Sequence, residues 1–177
     1  MAKKIFAFTG PIHAGKTQSC SFVDLKLNNV LRLRFSDPLR DVLDILHQEH
    51  SRQNLQWLST VLRKRFGQDL LAKIIYEKVR NFKGEFVTVD GVRRLPDIKY
   101  LKRLTGFILI AVDAPAKIRW QRLVQHRENL GDKQKTFEQF LQDQKQESEQ
   151  QIQQVMEQAD YQINNAYNNL DFLESEI

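Results

Sequence analysis

Gly10-Pro11-Ile12-His13-Ala14-Gly15-Lys16-Thr17 is a complete match to the phosphate-binding pattern G-x-x-x-x-G-K-[ST]. A triphosphate needs several converging N–H donors and a cation. A loop closed by Gly10 and Gly15 can wrap its amides around such an anion, and a helix opening at Gly15 adds unpaired N–H groups and the positive end of its dipole. Lys16 is expected on the β- and γ-phosphates and Thr17 on Mg²⁺. The ATP-binding set read from this segment is Gly10, His13, Ala14, Gly15, Lys16, Thr17 and Gln18, with no catalytic role for His13. The run Ile5-Phe6-Ala7-Phe8 precedes the loop and 18–27 can be helical, which is the strand, loop and helix setting the motif requires.

What receives the phosphoryl group is read from what accompanies the loop. Many hydrolases place a glutamate after the aspartate that ends a strand, to orient water. Here Asp90 ends the apolar run Phe86-Val87-Thr88-Val89 and Gly91 follows it. Neither D-x-x-G nor a guanine-reading N/T-K-x-D is present. Transfer to a small acceptor is therefore favoured, which calls for a second anion site and mobile cations. Asp37 and Asp90, both after strands, are candidates for the metal waters or an acceptor hydroxyl. Ser36 or Asp37 could equally cap the helix that begins at Pro38. Arg93 in Asp90-Gly91-Val92-Arg93-Arg94 can clamp an acceptor phosphate bidentately, unless it is simply a surface arginine. Arg119, Arg122 and Arg127 flank the end of a helix before the polar stretch 128–135. Arg122 and Arg127 are the candidates for lid arginines over the transferring group, against a solvated charged face.

The elements that must position these groups alternate between short apolar runs and amphipathic stretches, the signature of an α/β fold with a parallel sheet. Strands are expected at 4–9, 30–34, 85–90, 107–112 and 161–164. The alternation Val30-Leu31-Arg32-Leu33-Arg34 suggests an edge or half-exposed strand. Helical spacing appears at 37–48, 55–65 and about 68–81, more than one crossover needs, so this insert is expected to carry substrate contacts rather than core. A helix is expected from Pro115 to about 126. Another begins at Thr136, with Gln139 three residues on, and continues through the glutamine-rich stretch to 158.

Composition narrows the function classes. At 177 residues, with 41% hydrophobic and 28% charged, the chain reads as one globular domain with a sizeable core. One cysteine, Cys20, excludes an internal disulfide and a cysteine-rich zinc site, and fits a reducing cytoplasm. The net charge of +5 suits a polyphosphate pocket as well as nucleic acid. The basic residues are dispersed, so nucleic acid is not expected as the main partner. No apolar run reaches membrane-spanning length, and Met1-Ala2-Lys3-Lys4 leads straight into the first strand, so no leader is expected.

The chain resembles the nucleoside-monophosphate-kinase branch of the phosphate-loop kinases. Ser36-Asp37-Pro38-Leu39-Arg40, Leu55-Gln56-Trp57-Leu58 with Arg63, and Asp90-Gly91-Val92-Arg93-Arg94 are similar to segments of phage-type deoxynucleoside monophosphate kinases. Val112-Asp113-Ala114-Pro115, Arg122, Arg127, Gln144 and the stretch Ala159 to Asn165 resemble dephospho-CoA kinase. Two departures stand out: a single aspartate, Asp37, where dephospho-CoA kinases carry Asp-x-Asp, and Ser59 where the phage-type segment has glycine.

The resemblance implies a P-loop NTPase three-layer α/β/α fold with a five-stranded parallel sheet in order 2-3-1-4-5. It implies one domain over 1–177: a core of 1–35, 84–125 and 136–177, a helical acceptor-binding insert at about 36–83, and a short lid at about 126–135. Arg40, Arg63 and Arg93 become acceptor-binding residues, and Asn165 joins the ATP site beside the adenine. Catalysis falls to Lys16, Asp37, Asp90, Arg122 and Arg127, and Mg²⁺ to Thr17, Asp37 and Asp90. The function implied is ATP- and Mg²⁺-dependent transfer to a (deoxy)nucleoside monophosphate or to dephospho-CoA. The alternative is a regulatory or nucleic-acid-associated ATPase without a small acceptor. Whether the protein is a monomer or a homo-oligomer stays open.

Overall fold

The computed structural model describes residues 3–126, 135–144 and 151–166. Five parallel strands form one sheet in the order β2-β3-β1-β4-β5: β1 (Lys4–Thr9), β2 (Val30–Arg34), β3 (Phe86–Val92), β4 (Phe107–Asp113) and β5 (Tyr161–Asn164). This is the expected order, and it puts the alternating β2 at an edge.

The central strand shows why the sheet must be covered on both faces. In β1, Ile5 and Ala7 enter one core, together with Val87, Val89 and Leu109. Phe6 and Phe8 enter a second core with Cys20, Val23, Ile110 and Val112. Successive strand side chains point to opposite faces, so an unbroken apolar run requires helices above and below. The second core is closed by α1 (Lys16–Lys26). The first is closed by α2 (Asp37–Ile45), α3 (Arg52–Phe66), α4 (Leu70–Asn81) and Val155. The result is a three-layer α/β/α fold.

Of the segment expected to carry contacts rather than core, α4 is core: Leu71, Ala72, Ile75 and Val79 are fully covered. It is the crossover helix from β2 to its parallel neighbour β3, and a crossover must pack on the sheet. In α3, Leu58 turns inward, whereas Trp57 lies in solvent at 60% exposure. Helix α2 stops short of the expected 48, at a left-handed His47 (φ 53°). There the Gln48 N–H bonds the Leu43 carbonyl at 2.9 Å and the His47 N–H bonds that of Asp44 at 3.0 Å. This is a Schellman ending built without glycine.

Strand β3 runs two residues beyond its expected end. Its pairing with β1 slips between Ala7↔Val89 and Thr9↔Val92, a bulge at Asp90-Gly91. A short helix, α5 (Leu95–Ile98), and a 3₁₀ turn, Leu101–Arg103, follow it; neither is expected from periodicity. Helix α6 covers Ala116–His126. Within the stretch expected to be one helix to 158, the described residues form α7 (Phe137–Asp143) and α8 (Ile152–Met156), with turns at Gln144 and Gln151; residues 145–150 lie outside the described residues. Thr136 and Gln139 form the expected capping box of α7. The lid segment, Arg127 included, lies outside the described residues except for residues 126 and 135.

Candidate active site

The loop Gly10–Thr17 leaves the carboxyl end of β1 and opens α1, the edge at which ligands bind in open α/β sheets. Both motif glycines are there because something approaches closely. At Gly10 a Cβ would lie 2.0 Å from the Val112 carbonyl oxygen of β4. At Gly15 (φ 101°) it would lie 2.2 Å from the Asn165 side-chain nitrogen. The buried Lys16 ammonium donates to the Pro11 carbonyl at 2.7 Å, and the Ala14 N–H donates to the same oxygen at 3.2 Å. The ammonium and an amide of the loop thus converge on one acceptor. Gln18, one residue into the helix after Thr17, is exposed at this end of α1.

Thr17 and Asp90, 73 residues apart, are brought together: the Thr17 hydroxyl donates to Asp90 Oδ2 at 2.8 Å. The β3 bulge re-aims the Asp90 carboxylate toward the loop, as bulges commonly do near sites. Asp37 stands at the neighbouring strand end. Its Oδ2 accepts the Arg34 N–H at 2.7 Å, Arg34 pairs with Asp90 in the sheet, and the Phe35 N–H donates to the Asp90 carbonyl. Asp37 also opens α2 in front of Pro38, so position and helix start are satisfied together.

The three arginines expected at the acceptor do not form one cluster. Arg40 approaches His50 Nδ1 at 3.3 Å, and His50 Nε2 meets Asp44 at 2.7 Å. Arg63 is buried; its guanidinium pairs with Asp97 at 2.9 Å, donates to Ser59 Oγ at 3.3 Å and also donates to the Gln68 carbonyl. Asp97 accepts the backbone N–H of Arg93 and Arg94 at 3.2 and 3.0 Å with its other oxygen. Arg63 and Asp97 therefore fasten α3 to the turn after β3, with Arg93 at that turn. Sequence reasoning passed over Asp97. Its signal is weak: an acidic residue just after Leu95-Pro96, at the third position of a four-residue helix.

The far side of the loop is held by groups from the C-terminal half. Arg122, expected over the phosphates, is buried and donates to the His13 and Ala14 carbonyls, both at 3.3 Å, and to the Asn165 carbonyl at 2.6 Å. Burial pulls its pKa down from the ordinary arginine value. Arg119, expected to matter less, donates to Ile12 and Ala114 carbonyls and to Gln144 Oε1. Asn165, expected beside the adenine, donates from Nδ2 to the Ala14 carbonyl at 2.9 Å. Among the described residues no group of three or more His, Cys, Asp and Glu side chains could hold a metal ion, and no helix is long and apolar enough to cross a membrane.

No model of a protein family matches the chain. It is 30% identical over 121 residues to a UPF0200 protein of Sulfurisphaera tokodaii, a match covering 68% of this chain and 65% of that one. It is 29% identical over 129 residues to a UPF0200 protein of Methanosarcina barkeri, covering 68% and 64%. The chain thus spans slightly less than two thirds of the length of these relatives. Among solved structures, a shikimate kinase from Bacteroides thetaiotaomicron is similar with a TM-score of 0.63 at 17% identity, over 97% of this chain and 93% of that one. A shikimate kinase from Acinetobacter baumannii, in complex with shikimate, is similar with a TM-score of 0.55 at 14% identity, over 99% and 90%. The strand order, the loop at the end of β1 and these likenesses agree: the chain has the fold of the P-loop kinases.

Proposed function

We propose that the protein is an ATP- and Mg²⁺-dependent kinase that transfers the γ-phosphoryl group to a small, nucleotide-like acceptor. The observation that carries this reading is the Thr17–Asp90 pair at the mouth of the Gly10–Thr17 loop. A hydroxyl and a carboxylate held side by side are an all-oxygen donor set, which suits Mg²⁺. Thr17 and Asp90 would hold the ion, with Asp37 on the neighbouring strand end bound to its waters. When bound, Mg²⁺ neutralises charge on the β- and γ-phosphates.

The chain's own residues do the rest. Lys16 and the amides of His13, Ala14 and Gly15 bind the phosphates, and the N-terminus of α1 adds its dipole. Asp37 takes the Arg34 N–H on Oδ2, which leaves Oδ1 as the oxygen to accept a proton from an acceptor hydroxyl. Gly91 stands where a water-orienting glutamate would follow Asp90, which favours transfer to an acceptor over hydrolysis. Arg93 and Arg40 offer an acceptor phosphate its cations, and Arg127 would cover the transferring group. Acceptors with a phosphate, such as nucleoside monophosphates, use mainly those arginines, whereas dephospho-CoA or a shikimate-like alcohol needs Asp37.

The test is ATP and Mg²⁺ against a panel of nucleoside monophosphates, deoxynucleoside monophosphates, dephospho-CoA and shikimate, scored for ADP and for phosphorylated product. Lys16→Ala is expected to lower product formation by about 10²-fold or more with an unchanged far-UV spectrum. ADP formed at one rate with or without every acceptor would instead indicate an ATPase and overturn the proposal.

A further inference from the structure

We propose that Arg122 and Asn165, with Arg119 beside them, are positioning residues that hold the phosphate loop in its binding shape from its outer side. The proposal rests on the reading of that loop as the ATP cradle. Peptide groups are planar and trans, so the C=O of one residue and the N–H of the next point in opposite directions. A carbonyl pinned outward therefore turns the following amide inward. Three successive carbonyls are pinned: Ile12 by Arg119 at 3.4 Å, His13 by Arg122 at 3.3 Å, and Ala14 by Arg122 at 3.3 Å and Asn165 at 2.9 Å. The amides they turn are those of His13, Ala14 and Gly15. The Ala14 N–H does face the inside of the loop, where it reaches the Pro11 carbonyl that also takes the Lys16 ammonium.

The brace is itself anchored. Arg119 is tied to the Ala114 carbonyl at 2.8 Å and to Gln144 at 3.0 Å. Asn165 is fixed by its own N–H to the Asp113 carbonyl at 2.7 Å, and its carbonyl holds Arg122 at 2.6 Å. The ends of β4 and β5 and one face of α6 thus act on the loop as one piece. A lid arginine must swing between open and closed positions. Arg122 is buried with its guanidinium on three carbonyls, which suits a fixed support.

Two conservative variants test this. Asn165→Asp keeps size but sets a carboxylate oxygen against the Ala14 carbonyl. Arg122→Lys keeps charge but loses the planar fork that spans three carbonyls. Calorimetry would measure binding of a non-hydrolysable ATP analogue with Mg²⁺, and of inorganic tripolyphosphate with Mg²⁺; steady-state kinetics would give kcat and the acceptor KM. Both variants are expected to bind both probes about 10-fold more weakly. The acceptor KM should stay unchanged, thermal unfolding should stay cooperative, and amide exchange at 13–15 should be faster. Unchanged probe affinity with a fall in kcat would make Arg122 a group acting on the transferring phosphoryl and overturn the proposal. Loss of the ATP analogue alone, with tripolyphosphate intact, would assign Asn165 to the adenine and overturn its part. If Arg122→Lys does not fold, the outcome for Asn165→Asp decides. A wild-type protein that binds neither probe would overturn the kinase reading itself.

Discussion

In the proposed kinase the metal site rests on Thr17 and Asp90 together, because neither suffices alone. A threonine hydroxyl is a weak cation ligand without a neighbouring anion. A buried carboxylate is costly without a partner, and here it has the Thr17 hydroxyl at 2.8 Å. Asp90→Asn can still accept that hydrogen bond through its amide oxygen, so the local fold should persist while the negative charge is lost. Phosphoryl transfer is expected to fall by about 10²-fold. The gain in ATP-analogue affinity on adding Mg²⁺, read by calorimetry, should shrink while affinity without metal holds or rises. Equal Mg²⁺ dependence in variant and wild type would remove Asp90 from the metal site.

At the scale of elements, the buried Arg63–Asp97 pair fastens α3 to the turn that presents Arg93. Breaking a buried pair by removing one partner commonly costs about 3–5 kcal/mol. Arg63→Met should therefore lower the melting temperature by at least about 6 °C. A variant that melts normally but has a raised acceptor KM would return Arg63 to the acceptor site. Such tertiary pairings set the limit of what the sequence alone discloses. Strands β1, β2 and β5 lie at their expected bounds: β1 is an apolar run and β2 alternates, whereas β5, Tyr161-Gln162-Ile163-Asn164, buries only Ile163 and carries a weaker pattern. The loop and its glycines were legible because the motif encodes their backbone. The end of α2 was not, since His47 carries no glycine signal for a left-handed residue. Nor was the work of Arg119, Arg122 and Asn165: spacing on α6 shows that Arg119 and Arg122 share a face, but not that the face meets the outer side of a loop more than 100 residues earlier.

Across the whole molecule the loop is a junction, touching β4 at Val112, α6 through its arginines and the end of β5 through Asn165. A ligand seated there should stabilise the entire fold, not α1 alone. At 100 times its dissociation constant, an ATP analogue with Mg²⁺ should contribute about 2.7 kcal/mol. Cys20 offers a clean probe, being the single cysteine and fully buried in the core that backs the loop. Burial pushes its thiol up to about 11, so at pH 8 the native protein presents almost no thiolate. Labelling by a thiol reagent must then wait for opening of the fold. If that opening is global, the analogue should slow labelling by about 100-fold, the same factor by which it stabilises the native state. Slowing far short of the shift in unfolding free energy would show that α1 opens with the ligand still bound, and that the loop is not the junction its contacts describe.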